Sequence, residues 1–442
     1  MSRSSPLAEA IDATPWIDVH EHLVDERHRL GAAGYEFTEV LGEETRIPGD
    51  WSALLTGGYA IDDLVSAGLP ADAARRLASD GPEPLEKWDL VEPYLDAVRM
   101  TGAMRAVDVT TERLFGLRLA RDTCEELDRR CRELRRPGFY RDVLVDVANV
   151  ERCQVNSLDV DPFCETEMPE LCDQDISIAG LVRGRHPRAE ELSGIEVGTL
   201  DDYASVIEWV FAAYAGRAVA AKCFWAYFRS LRVGPVDAPP RAAFDRIRRG
   251  TEDPADRRAV EDFLFRRSVE LATAAGLPVK IHCGSLARNH DPHLEWIYSC
   301  VADMTRLVQE HPRTTFVLMH MAWPQQEQLL ALAKHQPNVV CEMSWAWTAA
   351  PRSAADFLER FLTTVPATKL LGFGADHQTV ENVVGHAELA RRGLERALRR
   401  LIDDGWMTVD DALRLVPLIM RENAERILPS PTRPRAESVP PR

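Results

Sequence analysis

Pro15-Trp16-Ile17-Asp18-Val19-His20 reads as a short strand, and Glu21-His22 carries it two residues further. Alternate residues of a strand point to one face, so His20 and His22 share a face. At the mouth of a barrel, two imidazoles so placed can grip one cation. Taken alone, a pair of histidines two apart is a weak signal, and a surface turn produces it as readily. Its meaning depends on what the rest of the chain places beside it.

Working outward, seven further short apolar runs follow: Arg152–Leu158, Ser177–Val182, Ala218–Ala226, Pro278–Gly284, Thr314–Ala322, Val339–Trp345 and Leu370–Asp376. Helical patterns such as Ala259–Ala275, Leu294–Glu310 and Ala354–Leu362 separate most of them. Short apolar strands alternating with helices argue for an α/β fold with a parallel sheet buried on both faces. With the first run they number eight. Chemistry-bearing residues at the ends of several favour a (β/α)8 TIM-like barrel over an open doubly wound sheet.

Residues 24–140 show no clear strand. They contain helical segments, Leu85–Met100 and Thr110–Arg135 among them, punctuated by Pro48-Gly49, Gly57-Gly58 and Gly81-Pro82. A mostly helical insertion after strand 1 is expected. The division that follows is a single barrel over 1–428 and a Pro-, Arg- and Ser-rich tail over 429–442, expected to be disordered. The chain has 442 residues, which a barrel with loop insertions accommodates.

The formal net charge is −17. That balance disfavours non-specific binding to nucleic acid or to anionic membranes. No run of about 18 apolar residues is present, so no membrane span is expected. The N-terminal segment lacks the apolar core of a signal peptide. Nine cysteines without a CxxC pair do not resemble a disulfide framework, and they read as reduced thiols of a cytoplasmic protein. The expected partner is a small-molecule substrate, with a homo-oligomer left open. Phosphate-loop, nucleophile-elbow and dinucleotide-binding motifs are absent; Gly372-Phe373-Gly374 is only a GxG.

Later strand ends supply further candidates. His282 closes the run Val279–Cys283, His320 follows Phe316–Met319, and Asp376 ends Leu370–Ala375. Each has an ordinary reading: a hydrogen-bonded core histidine, or an aspartate capping a helix. Together with His20 and His22, they would project to one rim. Imidazole and carboxylate in combination suit zinc, manganese or iron.

These residues resemble the amidohydrolase superfamily. His20-x-His22 on strand 1, His282 on strand 5, His320 on strand 6 and Asp376 on strand 8 carry the likeness. Asp18–Leu23, Ala221–Arg229, Gly276–His282 and Glu422-Asn423-Ala424 are similar to its amidohydrolase-related (amidohydrolase 2) branch. Ile281–Asn289 and Met343–Trp347 also resemble the uronate isomerases of the superfamily.

The resemblance implies a divalent metal, zinc foremost, held by His20, His22, His282 and Asp376. Asp376 would also take a proton from the activated water, and His320 would polarise a carbonyl. Lys222 would be carboxylated to bridge two metals, or would neighbour substrate or metal. Arg229 and Arg288 could meet a substrate carboxylate, and Trp345 could wall the pocket. The implied reaction is hydrolysis of an amide-type C–N bond. The alternative is a non-hydrolytic relative, an isomerase of a uronic or related sugar acid or a decarboxylase.

Overall fold

The computed structural model describes residues 5–31, 33–39, 42, 44–158, 160–287 and 294–431. Eight parallel strands form one sheet: β1 (Trp16–Glu21), β4 (Val150–Val155), β5 (Cys172–Ser177), β6 (Ala218–Cys223), β7 (Val279–Ile281), β8 (Phe316–Leu318), β9 (Val339–Glu342) and β10 (Leu370–Leu371). Two more, β2 (Tyr35–Thr38) and β3 (Glu44–Ile47), pair as an antiparallel hairpin. Short β-branched and apolar strands such as Val279–Ile281 and Phe316–Leu318 are buried throughout. That is the texture of a sheet covered by helices on its outer face and filled by side chains within.

The ring closes at the seam between first and last strands. Val19 N–H donates to the Phe373 carbonyl (3.0 Å), Asp376 N–H to His20 (2.9 Å) and His22 N–H to His377 (3.0 Å). Ladder bonds therefore continue past β10 and carry Asp376 alongside His20 and His22. Gly374 permits this closeness. A Cβ there would lie 2.5 Å from Ser344 Cβ and 3.1 Å from the His20 nitrogen. The Gly372-Phe373-Gly374 motif is thus a packing feature of the seam.

Helices cover the outside, among them Leu200–Tyr214, Pro254–Ala274, Pro351–Thr364 and Glu381–Asp403. Pro254–Ala274 starts where its composition dictates: Asp253 accepts from Asp256 N–H in a capping box, and Pro254 supplies the first turn.

Three sequence expectations change. The third barrel strand is Cys172–Ser177, not Ser177–Val182; Leu181–Arg183 is a short turn of 3-10 helix. Cys172-Asp173-Gln174-Asp175 carries too many polar groups to register as an apolar run, yet the barrel buries them against polar partners, Arg152 on Asp173 and Lys280 on Asp175. The insertion is mostly helical but contains the β2–β3 hairpin. The single helix expected over Thr110–Arg135 is two, Gly102–Phe115 and Cys124–Leu134, because Gly116 caps the first in the left-handed region (φ 65°). Of the tail, 432–442 lies outside the described residues, whereas Ser430 is buried and hydrogen-bonded to Asp173 (2.5 Å). No helix among the described residues is long and apolar enough to cross a membrane.

Candidate metal centre

His20 and His22 leave β1 on the same face, and the seam bonds bring Asp376 between them. His20 Nε2 and His22 Nε2 each lie 3.3 Å from Asp376 Oδ1. The ligand-type atoms of these three residues all fall within 4.8 Å of one another. Ligands held about 2.1 Å from a tetrahedral cation stand about 3.4 Å apart, so the two 3.3 Å edges match a first shell. His22 Nδ1–H donates to the Asn156 carbonyl (2.6 Å), which leaves the Nε2 lone pair turned to the cluster. The buried His20 Nδ1 has no hydrogen-bond partner.

Protonation states fit a cation as well. Burial, reinforced by Lys222, pushes the His20 imidazole well below its ordinary pKa. Burial alone would raise the Asp376 carboxyl, but His20, His22 and His320 outweigh it and hold it well below the usual carboxylate range. Neutral imidazoles beside an ionised carboxylate are the forms in which these side chains bind metal.

His282 and His320 sit at the ends of β7 and β8, as expected, but face each other. His320 Nε2 lies 2.9 Å from His282 Nδ1, and His282 Nε2 lies 2.9 Å from the Ser285 carbonyl. Proton counting fixes the tautomers. A carbonyl only accepts, so His282 carries its proton on Nε2, and the facing pair His282 Nδ1 and His320 Nε2 is satisfied only by a shared proton or a cation. His320 Nδ1–H likewise donates to the Ser344 carbonyl (3.1 Å), while Nδ1 also lies 3.2 Å from Ser344 Oγ and 3.8 Å from Asp376 Oδ2. Burial lowers the His320 pKa to about 4, keeping the ring neutral. Among the described residues, His282 is not one of the three whose ligand-type atoms converge.

The remaining expected residues separate. Lys222 is fully buried on β6, with Nζ 3.0 Å from His20 Nε2. Burial lowers its pKa to about 8. Its ammonium and a cation compete for the same lone pair, so Lys222 neighbours the metal position. Arg229 is buried elsewhere: its guanidinium pairs with Glu261 (3.0 Å) and Asp262 (2.6 Å) and stacks on Trp225 at 4.2 Å. Those partners already satisfy its charge. Arg288 lies outside the described residues. Trp345 is at the site, edge-on to His320 with centroids 5.5 Å apart.

Several neighbours escaped sequence reasoning. Tyr59, from the insertion, donates its hydroxyl to the Asp376 carbonyl (2.5 Å) and stacks on Trp345 at 4.8 Å. Glu342 on β9 accepts from Ser344 Oγ (2.7 Å) and His320 N–H (3.2 Å), and burial raises its pKa to about 7. A glutamate inside the apolar run Val339–Trp345 was the available signal for it. Nothing in the sequence pointed to Tyr59. The backbone is strained here too: His320, Trp345 and Asp376 have φ of 60°, 63° and 62°, a region that non-glycine residues seldom occupy.

Residues 226–429 match the family model described as Amidohydrolase. Over 174 residues, 38% of the chain, the sequence is 25% identical to Protein fluG of Emericella nidulans; that match covers 20% of the fungal protein, so the chain spans only a fraction of its relative's length. Among solved structures, glucuronate isomerase of Caulobacter crescentus superposes with a TM-score of 0.75 at 18% identity, covering 97% of this chain and 95% of that one. Uronate isomerase of Thermotoga maritima gives 0.74 at 13%, covering 96% of each. A candidate metal-dependent hydrolase of Lactobacillus casei gives 0.66 at 14%, covering 96% and 97%. At such identities the superpositions speak for the fold. The sequence match takes in His282, His320 and Asp376, and over residues 226–429 the chain is similar to the amidohydrolase family.

Proposed function

We propose that the chain is a divalent-metal-dependent hydrolase that cleaves an amide-type C–N bond of a small molecule. The observation that carries this reading is one carboxylate oxygen of Asp376 set 3.3 Å from both His20 Nε2 and His22 Nε2. His20, His22 and Asp376 would hold a divalent cation, with zinc the first expectation, which when bound would lower the pKa of a water to roughly 7 and so supply a nucleophile at neutral pH.

The chain's own residues then have distinct tasks. Asp376 is ionised at neutral pH and can take a proton from the attacking water and pass it to the leaving amine. Its second oxygen faces His320, whose ring is steadied by His282 and Ser344. Trp345 packs edge-on against His320 and stacks on Tyr59 beside the cluster. This supports an orienting and proton-handling role for His320. Direct polarisation of a carbonyl would need the Nδ1–H that already faces the Ser344 carbonyl.

The ionised Asp376, with its second oxygen toward His320, also supports a second reading, sugar-acid isomerisation, in which a base moves a proton between neighbouring carbons. The full-length superposition on two uronate isomerases points the same way. One experiment separates the readings. Metal-replete protein is assayed against N-acyl, γ-glutamyl and sugar-acid substrates in water enriched in oxygen-18 and deuterium. Hydrolysis places oxygen-18 in the carboxylate product. Isomerisation places deuterium on carbon without oxygen-18 in a new carboxylate, and that result would overturn the hydrolase reading.

A further inference from the structure

Among the described residues, the space beside the cluster at Tyr59 and Trp345 is small. Recesses lined by His320 and Trp345, and by Tyr59 and His377, hold only about 10 Å³ each. The space beside His22 differs. His22 borders a cavity of about 360 Å³, within the range of small-molecule sites. His22 is also the most accessible member of the cluster, its side chain 17% exposed against 0% for His20 and 5% for Asp376.

The walls of this cavity are ring systems in two stacks. On one side His28 stacks on Tyr35 with centroids 4.4 Å apart, and Tyr35 on Phe37 at 5.6 Å. Tyr35 and Phe37 alternate along β2, so both turn inward while Glu36 and Thr38 face solvent. On the other side Phe163 stacks on Tyr214 at 4.9 Å. The charged groups between them are already matched: Arg188 with Asp161 (2.7 Å), and Arg27 with Glu167 (3.3 Å). The walls mix polar groups, such as Asp25 and Gln174, with these two flat apolar stacks.

We infer that the substrate enters beside His22 and lodges a planar apolar ring in this cavity, between the His28–Tyr35–Phe37 stack and the Phe163–Tyr214 stack, with its reacting end at the metal cluster. This rests on the metal-dependent reading of the site. It assigns the β2–β3 hairpin a purpose: a two-stranded hairpin has little stability of its own, and this one carries an aromatic face over the cavity. Offset and edge-on ring contacts reward an aromatic guest beyond the area it buries.

Hydroxamates test this without any turnover, because they bind an open metal position whatever reaction the enzyme performs. Calorimetry on the zinc-loaded protein would compare acetohydroxamate, benzohydroxamate and glucuronohydroxamate, with zinc content read by mass spectrometry. Benzohydroxamate is expected to bind at least about 10-fold tighter than acetohydroxamate, as burial of the extra ring surface requires. Phe37→Ala and Tyr35→Ala should each pull that ratio toward one, with zinc content and circular dichroism as in the parent protein. Equal affinities for the two, or a ratio unmoved by both substitutions, would overturn the ring cavity while leaving the metal reading in place. Tighter binding of glucuronohydroxamate would also overturn it, in favour of a polyhydroxylated guest. Zinc bound with no hydroxamate affinity would show that the cavity does not reach the metal. Failure to bind zinc at all would remove the functional reading, and this inference with it.

Discussion

At the β1–β10 seam, His20 and His22 direct both Nε2 atoms to one oxygen of Asp376; across the mouth, at the ends of β7 and β8, His282 and His320 direct theirs to each other, to Ser344 and to the Ser285 carbonyl. Both halves place buried neutral imidazoles on a barrel rim. The first leaves lone pairs converging on a carboxylate, an arrangement that costs stability unless a cation or proton fills it. The second anchors one nitrogen of each ring on a backbone carbonyl and sets the remaining two nitrogens against each other. The difference teaches that histidine at a strand end does not by itself mean a ligand. The direction of the lone pair decides, and the hydrogen bond on the other ring nitrogen sets that direction.

The comparison breaks most directly by removing one imidazole from each half. His22→Ala should lose bound metal, and activity should fall on the order of 10³-fold. His320→Ala should keep its metal, with kcat lower by about 10²-fold. Metal analysis of the two purified variants beside their kinetics is the check. If His320→Ala loses metal as fully as His22→Ala does, the two halves form one ligand set.

Stability against pH sharpens the second half. Burial raises the Glu342 carboxyl from 4.5 to about 7 in the folded protein. The folded state then binds this proton more tightly than the unfolded chain. Its contribution to stability is full below pH 4.5 and is lost as pH rises to about 7, amounting to about 3 kcal/mol. Urea unfolding of the chelator-treated protein at pH 5 and pH 8 should show the decline, and Glu342→Gln should show less of it. An identical decline in both proteins would mean that Glu342 is already ionised beside His320.

The smallest effect belongs to the clamp over the first half. Tyr59→Phe removes the hydroxyl donated to the Asp376 carbonyl and should cost about 1 kcal/mol of stability, with metal content retained. Loss of metal on this change would mean that the insertion helps to set the position of Asp376.

The helices and strands of the barrel were legible where side-chain period and apolar runs coincide, as at Val279–Ile281 and Phe316–Leu318. They were illegible where the barrel buries polar side chains in pairs. Cys172–Ser177 hides as a strand because its stability comes from partners on other strands, such as Lys280 on Asp175. The hairpin at Tyr35–Thr38 was missed because four residues of period two are too few to stand out within a helical stretch.

The sequence by itself determined which side chains reach the rim, because strand period and strand order fix which residues leave the sheet at its carboxyl ends. His20, His22, His282, His320 and Asp376 were all found that way. Only the tertiary structure decided which of them converge. Closure of the seam over Gly374 sets Asp376 against His20 and His22, whereas the Ser285 carbonyl and Ser344 turn His282 and His320 toward each other. It also gave Arg229 to Glu261 and Asp262, and brought Tyr59 in from the insertion. The physical reason is one of range: a strand's facing is local, but the aim of a lone pair depends on hydrogen-bond partners hundreds of residues away.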